Sequence, residues 1–296
     1  MSDAEARMQD HDAYDLIEDQ FNRELDFSLG PAGPDSLFGF VAEMALPSGA
    51  VVVDAGCGDG EHAIELGTRY GFLVTGVDPV PRCVQAARRN APPGSPVTFA
   101  AGTADQLPLP SGSADLIWCR DVLSLVEDLD AVYREFRRVL KPGGRAVIYQ
   151  MFTTSLLESD EAAFLLPVMG CWASAMRPEN TEAAITGAGL RIDRCVVLGS
   201  EWGEYYQEQH RPESGGHLLH AARLLRDPER YIARFGTQNY NIKLGDCLWH
   251  IYRMIGKLSS RVYLVSAPPN SAPGRATGNP DAVRTGARSR NRTACR

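Results

Sequence analysis

Apolar positions along the middle of the chain alternate between two periods. Ala50–Asp54 is a short apolar run that opens onto glycines, the pattern of a buried strand. Glu61–Tyr70 follows with Ala63, Ile64 and Leu66 on one face, a helix. Leu73–Asp78, Val97–Ala100 and Asp115–Cys119 are further strands, and Pro81 suits the first position of a helix running to about Arg89. Asp128–Leu140 places Leu129, Val132, Phe136 and Val139 on one face, with Asp128 as its cap. Lys141-Pro-Gly-Gly144 breaks that helix and turns into a fifth strand, Arg145–Gln150. Pro178–Ala188 reads as a helix, Arg191–Leu198 as a sixth strand and Arg261–Ser266 as a seventh. Strands alternating with helices predict an α/β fold, a mostly parallel sheet covered on both faces. The roughly 60 residues between the sixth and seventh strands are too apolar for a loop. They predict a helical lid over about 201–258, with helices near 214–226, 228–235 and 246–258.

Charge sharpens the picture at the ends. Of the net charge of −7, residues 1–26 contribute nine acids and two arginines, and 268–296 contribute six arginines and one acid. Without that tail the chain stands near −12, a body that repels phosphate backbones, so no nucleic-acid partner is expected. The tail has almost no apolar side chains and is expected to be disordered. No apolar stretch is long enough to span a bilayer, and the acidic N-terminus lacks the apolar core of a secretory signal. Seven scattered cysteines without a CxxC pair read as reduced thiols. The expectation is a cytoplasmic protein without membrane contact, monomeric or homodimeric. No His/Cys group has zinc spacing, and no metal is expected.

The chemistry concentrates in Asp54-Ala-Gly56-Cys57-Gly58-Asp-Gly60, between the first strand and the first helix. Glycines there let the backbone approach a ligand, and the following helix N-terminus offers free N–H groups. Asp78 lies 18 residues past Gly60 at the end of the second strand, where a carboxylate can accept both hydroxyls of a ribose. A dinucleotide fold would want G-x-G-x-x-G, whereas this loop is G-x-G-x-G.

That loop resembles motif I of the class I S-adenosylmethionine (SAM) methyltransferases of the methyltransferase 11 type. Gly102-Thr103-Ala104-Asp105-Gln-Leu-Pro-Leu109 is similar to that family's G-D-A-x-x-L-P-F segment, with Thr103 where the family carries an acid. Asp115–Leu123 matches the fourth strand and its exit, and Arg138–Gly144 the turn before the fifth. The likeness covers about residues 37–150. It implies a Rossmann-like seven-stranded methyltransferase sheet, last strand antiparallel, in a domain over 41–267. It also implies SAM as cofactor and a small-molecule acceptor methylated on oxygen, nitrogen or carbon. Its cofactor-binding positions fall on Asp54, Gly56, Cys57, Gly58 and Gly60, on Asp78 with Pro79 after it, on Thr103 and Ala104 at the adenine, and on Cys119 and Arg120 at the methionine portion. In similar enzymes an N-terminal arm, here about 1–40 and helical, closes over the cofactor; Tyr14 is then a contact to the cofactor carboxylate. The metal-dependent relatives need an acid pair, and Asp121 finds no second acid in Gln150-Met151-Phe152.

The exit of the sixth strand, Ser200-Glu201-Trp202-Gly-Glu204-Tyr205-Tyr206, supplies candidates for acceptor chemistry. Glu201, Glu204 and, further on, His250 are candidate bases, and Trp202 and Tyr205 candidate substrate walls; His62 reads as structural. A small-molecule methyltransferase of specialised metabolism is the leading expectation. A peptide or protein methyltransferase, a non-catalytic SAM-binding protein and a nicotinamide oxidoreductase are the alternatives.

Overall fold

The computed structural model describes residues 21–209 and 213–269. Tyr14 and nearly all of the arginine-rich tail lie outside them. Seven strands form one sheet: β1 (Val51–Ala55), β2 (Leu73–Asp78), β3 (Val97–Ala101), β4 (Ala114–Arg120), β5 (Leu140–Thr153), β6 (Arg191–Gly199) and β7 (Leu258–Ser266). Their order is β3-β2-β1-β4-β5-β7-β6. The first five pair in parallel, and β7 lies antiparallel between β5 and β6. The chain leaves β1 for β2 on one side and later returns to place β4 on the other. The C-terminal ends of β1, β2 and β4 therefore border one crevice, the place where open parallel sheets bind ligands.

Helices cover both faces because both faces are apolar. Val52 and Val53 are adjacent, point to opposite sides and are both fully buried; Leu116 and Ile117 repeat this in β4. One face carries α1 (Ser36–Glu43), α2 (Glu61–Tyr70) and α3 (Pro81–Asn90), packed around Leu66, Phe72 and Trp118. The other carries α4 (Leu129–Val139) and α6 (Pro178–Gly187), around Ile117, Phe136 and Ile148. Asp128 caps α4 as expected, its Oδ1 accepting the Ala131 N–H at 2.8 Å.

Several boundaries depart from the pattern. The Lys141–Gly144 turn does not separate helix from strand. It is an irregularity within β5, whose pairing jumps from Ala114–Leu140 to Leu116–Arg145. Helix α5 (Ser159–Val168) is not legible from the pattern: it carries Pro167 in its last turn, and only Leu165 and Leu166 of it are buried. Among the described residues, the segment between β6 and β7 holds four helices rather than three: α7 (Glu201–Glu208), α8 (Glu213–Arg226), α9 (Pro228–Phe235) and α10 (Thr237–Met254). The last begins earlier and stops sooner than its periodicity suggests, because Leu258 already pairs with Thr153 in the sheet. No described helix is long and apolar enough to cross a membrane.

Phe136 is completely buried between α4 and the sheet. Phe136→Ala is expected to cost about 3–5 kcal/mol, read as a lower urea midpoint with an unchanged slope.

Candidate functional site

The crevice starts from the glycine loop. Gly56, Gly58 and Gly60 have φ of +83°, +54° and +87°, a region that side chains with a Cβ rarely enter. Space adds to the constraint at two of them. A Cβ on Gly56 would lie 2.1 Å from Val122 Cγ2, and one on Gly60 2.7 Å from the Phe99 ring. The loop is held from the second strand. The Val77 carbonyl accepts the N–H groups of Gly56 and Cys57 at 2.7 and 3.0 Å. Asp78 Oδ2 accepts the Gly58 N–H at 3.0 Å, and its Oδ1 accepts the Val80 N–H at 2.8 Å. Each oxygen keeps a lone pair for a further donor. Pro79 follows at the surface. The Gly102 N–H donates to the Asp78 carbonyl, which brings the Thr103–Ala104 turn beside the end of β2.

Asp54, at the end of β1, is buried, and its Oδ2 has no hydrogen-bond partner among the described residues. Burial pushes its carboxyl up to about 7; Arg120 opposes the shift and Asp78 adds to it. An orphaned carboxylate oxygen facing a crevice fits a cationic group there. Cys57 and Cys119 are buried thiols held well above the ordinary range by desolvation, so neither is poised as a nucleophile.

Two cavities meet at Arg120. One, about 190 Å³, is bounded by Asp54, the loop from Gly56 to Asp59, and Asp121. The other, about 440 Å³, is bounded by Pro34, Phe38, Tyr205 and Tyr206. Glu61, His62 and Arg120 line both. Arg120 Nη1 stands 2.6 Å from His62 Nε2, and its guanidinium lies 5.4 Å over the Trp202 ring. Trp118 Nε1 faces the other ring nitrogen of His62 at 3.4 Å. With donors on both sides, burial and Arg120 bring His62 down to about 4, so the imidazole is neutral at physiological pH. The expectation that His62 is structural omits this position. The signal was its place as the second residue of the helix that opens directly after the loop.

The candidates from the exit of β6 separate. Tyr205 lines the larger cavity. Trp202 is buried and stacks on Tyr149 with centroids 4.2 Å apart, so it braces Arg120 from behind. Glu201 Oε2 accepts the Ala32 N–H at 2.9 Å and fastens the N-terminal segment to α7; Glu204 accepts from Ser200. His250 sits within the lid, stacked on His217. None of Glu201, Glu204 and His250 lines either cavity.

A family model described as a methyltransferase domain matches residues 53–148. A ubiquinone biosynthesis O-methyltransferase of Xanthomonas axonopodis pv. citri is 30% identical over 179 residues, covering 55% of this chain and 72% of that protein. The chain belongs to the class I SAM-dependent methyltransferases. A 2-methyl-6-phytyl-1,4-hydroquinone methyltransferase of Synechocystis is 38% identical over 103 residues; the match spans 35% of this chain and about a third (32%) of that enzyme. The fold is shared with Haemonchus contortus phosphoethanolamine N-methyltransferase 2, solved with S-adenosylhomocysteine (TM-score 0.59, 18% identity, 82% of this chain and 54% of that one). The loop, the paired oxygens of Asp78 and the orphaned Asp54 oxygen fit SAM, which brings two ribose hydroxyls, an ammonium and a sulfonium.

Asp78→Ala removes the acceptor of the Gly58 amide and a charge-assisted partner for hydroxyls. Calorimetry with S-adenosylhomocysteine is expected to show affinity lowered by at least ~1 kcal/mol, about fivefold. The Asp54 carboxyl is raised, so folding alone favours its protonated form, and stability falls as pH rises from the ordinary carboxylate range to about 7. A ligand ammonium favours the ionised form instead. Affinity for S-adenosylhomocysteine is therefore expected to climb with pH up to about 7 and then level, with proton release seen by calorimetry in two buffers. Asp54→Asn is expected to flatten both profiles.

Proposed function

We propose that this protein transfers the methyl group of SAM to an oxygen, nitrogen or carbon nucleophile of a small molecule, in specialised metabolism. The observation that carries the reading is the junction of the two cavities at His62 and Arg120. The smaller sets carboxylates beside Arg120, which suits the ammonium and carboxylate of the methionine end of the cofactor, and the larger continues from it toward aromatic walls. The relative named for ubiquinone biosynthesis is an O-methyltransferase, which supports a small acceptor with an oxygen nucleophile. The acidic body supports the same choice over nucleic acid.

SAM, when bound, supplies a methyl carbon already activated by its sulfonium. The residues then have to align and exclude water. Asp54 and Asp78 hold the two ends of the cofactor's polar outline, and the glycine loop lets the backbone close on it. Arg120, braced by Trp202, fixes the side of the junction from which the nucleophile approaches. Phe38, Tyr205 and Tyr206 wall the acceptor and lower the local dielectric. Such alignment can supply up to ~7–11 kcal/mol in favourable cases. Both ring nitrogens of His62 face donors, Arg120 and Trp118, so His62 positions Arg120 at the junction, and a nucleophile that keeps its proton needs a base from elsewhere.

Incubating the full chain with methyl-labelled SAM and a panel of small phenols, amines and carboxylates is expected to transfer label to at least one acceptor. Tyr205→Ala is expected to raise the acceptor KM severalfold while S-adenosylhomocysteine affinity stays unchanged, since Tyr205 borders only the larger cavity. Label appearing only on protein would favour a peptide acceptor. Binding without turnover on any acceptor would leave a SAM-binding module. Binding of NAD in place of S-adenosylhomocysteine would overturn the cofactor reading.

A further inference from the structure

The lid contains a group of metal-ligating side chains that methyl transfer does not use. His217 comes from α8, and Asp246 and Cys247 from α10. One ligand atom from each lies within 4.8 Å of the other two. His217 Nδ1 is 3.8 Å from Asp246 Oδ2. One turn along α10, His250 stacks on His217 with ring centroids 3.9 Å apart and planes inclined by 9°. Its Nε2 is 3.9 Å from Asp246 Oδ1, and its Nδ1 is buried without a hydrogen-bond partner among the described residues. Cys247 is fully buried.

An imidazole, a carboxylate and a thiol gathered between two helices form a donor set of mixed softness. Around a tetrahedral zinc ion, with bonds of about 2.0–2.3 Å, neighbouring ligand atoms stand roughly 3.3–3.6 Å apart. The observed separations need to close by a few tenths of an ångström to about one, which side-chain rotation supplies. Lys243 now donates to Asp246 Oδ2 at 2.7 Å. It is half exposed and can withdraw into solvent when a divalent cation takes its place.

We propose that His217, Asp246 and Cys247 bind a divalent transition metal of the zinc class, with His250 stacked on the His217 ring and holding it in place. The ion would pin α8 to α10. Helix α7, which carries Tyr205, packs against both, so the pin stiffens a wall of the larger cavity. The site stands independently of the methyl-transfer reading, and metal binding is measured without turnover.

The test uses the full chain, untagged and stripped by chelator, titrated with Co²⁺ and then with Zn²⁺. One Co²⁺ per chain is expected, with a near-ultraviolet thiolate-to-cobalt band displaced by Zn²⁺. Cys247→Ser is expected to lose that band. His217→Ala and Asp246→Asn are expected to weaken Zn²⁺ at least tenfold, while Cys57→Ser leaves stoichiometry and band unchanged. Zn²⁺ is also expected to raise the melting temperature of the parent chain but not of His217→Ala. Should Cys247→Ser fail to fold, His217→Ala and Asp246→Asn carry the test through affinity. No stoichiometric binding, or a band and affinity indifferent to these substitutions, would overturn the proposal.

Discussion

Everything at the crevice depends on a carboxylate clamped across a strand boundary. Asp78 ends β2, yet its side chain reaches the loop that leaves β1 and accepts the Gly58 amide at 3.0 Å. The Val77 carbonyl takes the amides of Gly56 and Cys57 just before it. The end of one strand thus fixes the backbone that follows its neighbour, and the loop becomes as rigid as the sheet. A glycine loop without such anchoring would lose backbone entropy when a ligand bound. Here that cost is met during folding. The same packing buries Asp54 and raises its pKa, which prepares the crevice for a positive group.

The second layer of organisation is the junction at Arg120. Its charge adds to burial in lowering His62 and opposes the burial that raises Asp54, favouring the ionised acid. Trp202 and Tyr149 stack behind it. The lid therefore borders the crevice through Trp202, which stacks between Tyr149 and Arg120, and through Tyr205 on the larger cavity, while Glu201 and Glu208 fasten the N-terminal segment at Ala32 and Ser28. Lid, segment and sheet edge are tied into one enclosure by bonds that span most of the chain.

Local backbone conformation is legible in the sequence because it is local. The Asp54–Gly60 loop needs glycine at positive φ, and that requirement shows in the residues themselves. Helix α4 announces its buried face by spacing and its start by Asp128. Helix α5 was missed because tertiary burial of two leucines, rather than periodicity, stabilises it. The place of Glu201 and Glu204 after β6 brings them close to the crevice, but a helix turns its residues about 100° apart, and α7 presents Tyr205 to the cavity while these glutamates bond elsewhere.

By itself, then, the chain determined the alternation of strands and helices, the loop, and the acid at the end of β2, since backbone conformation and buried periodicity follow from neighbouring residues. Only the tertiary structure decided that His62 and Arg120 share two cavities, that Trp202 is buried against Tyr149, and that His217 meets Asp246 and Cys247. Those meetings join side chains far apart in sequence, and no short-range pattern encodes the packing of α8 on α10 or of α7 on the sheet.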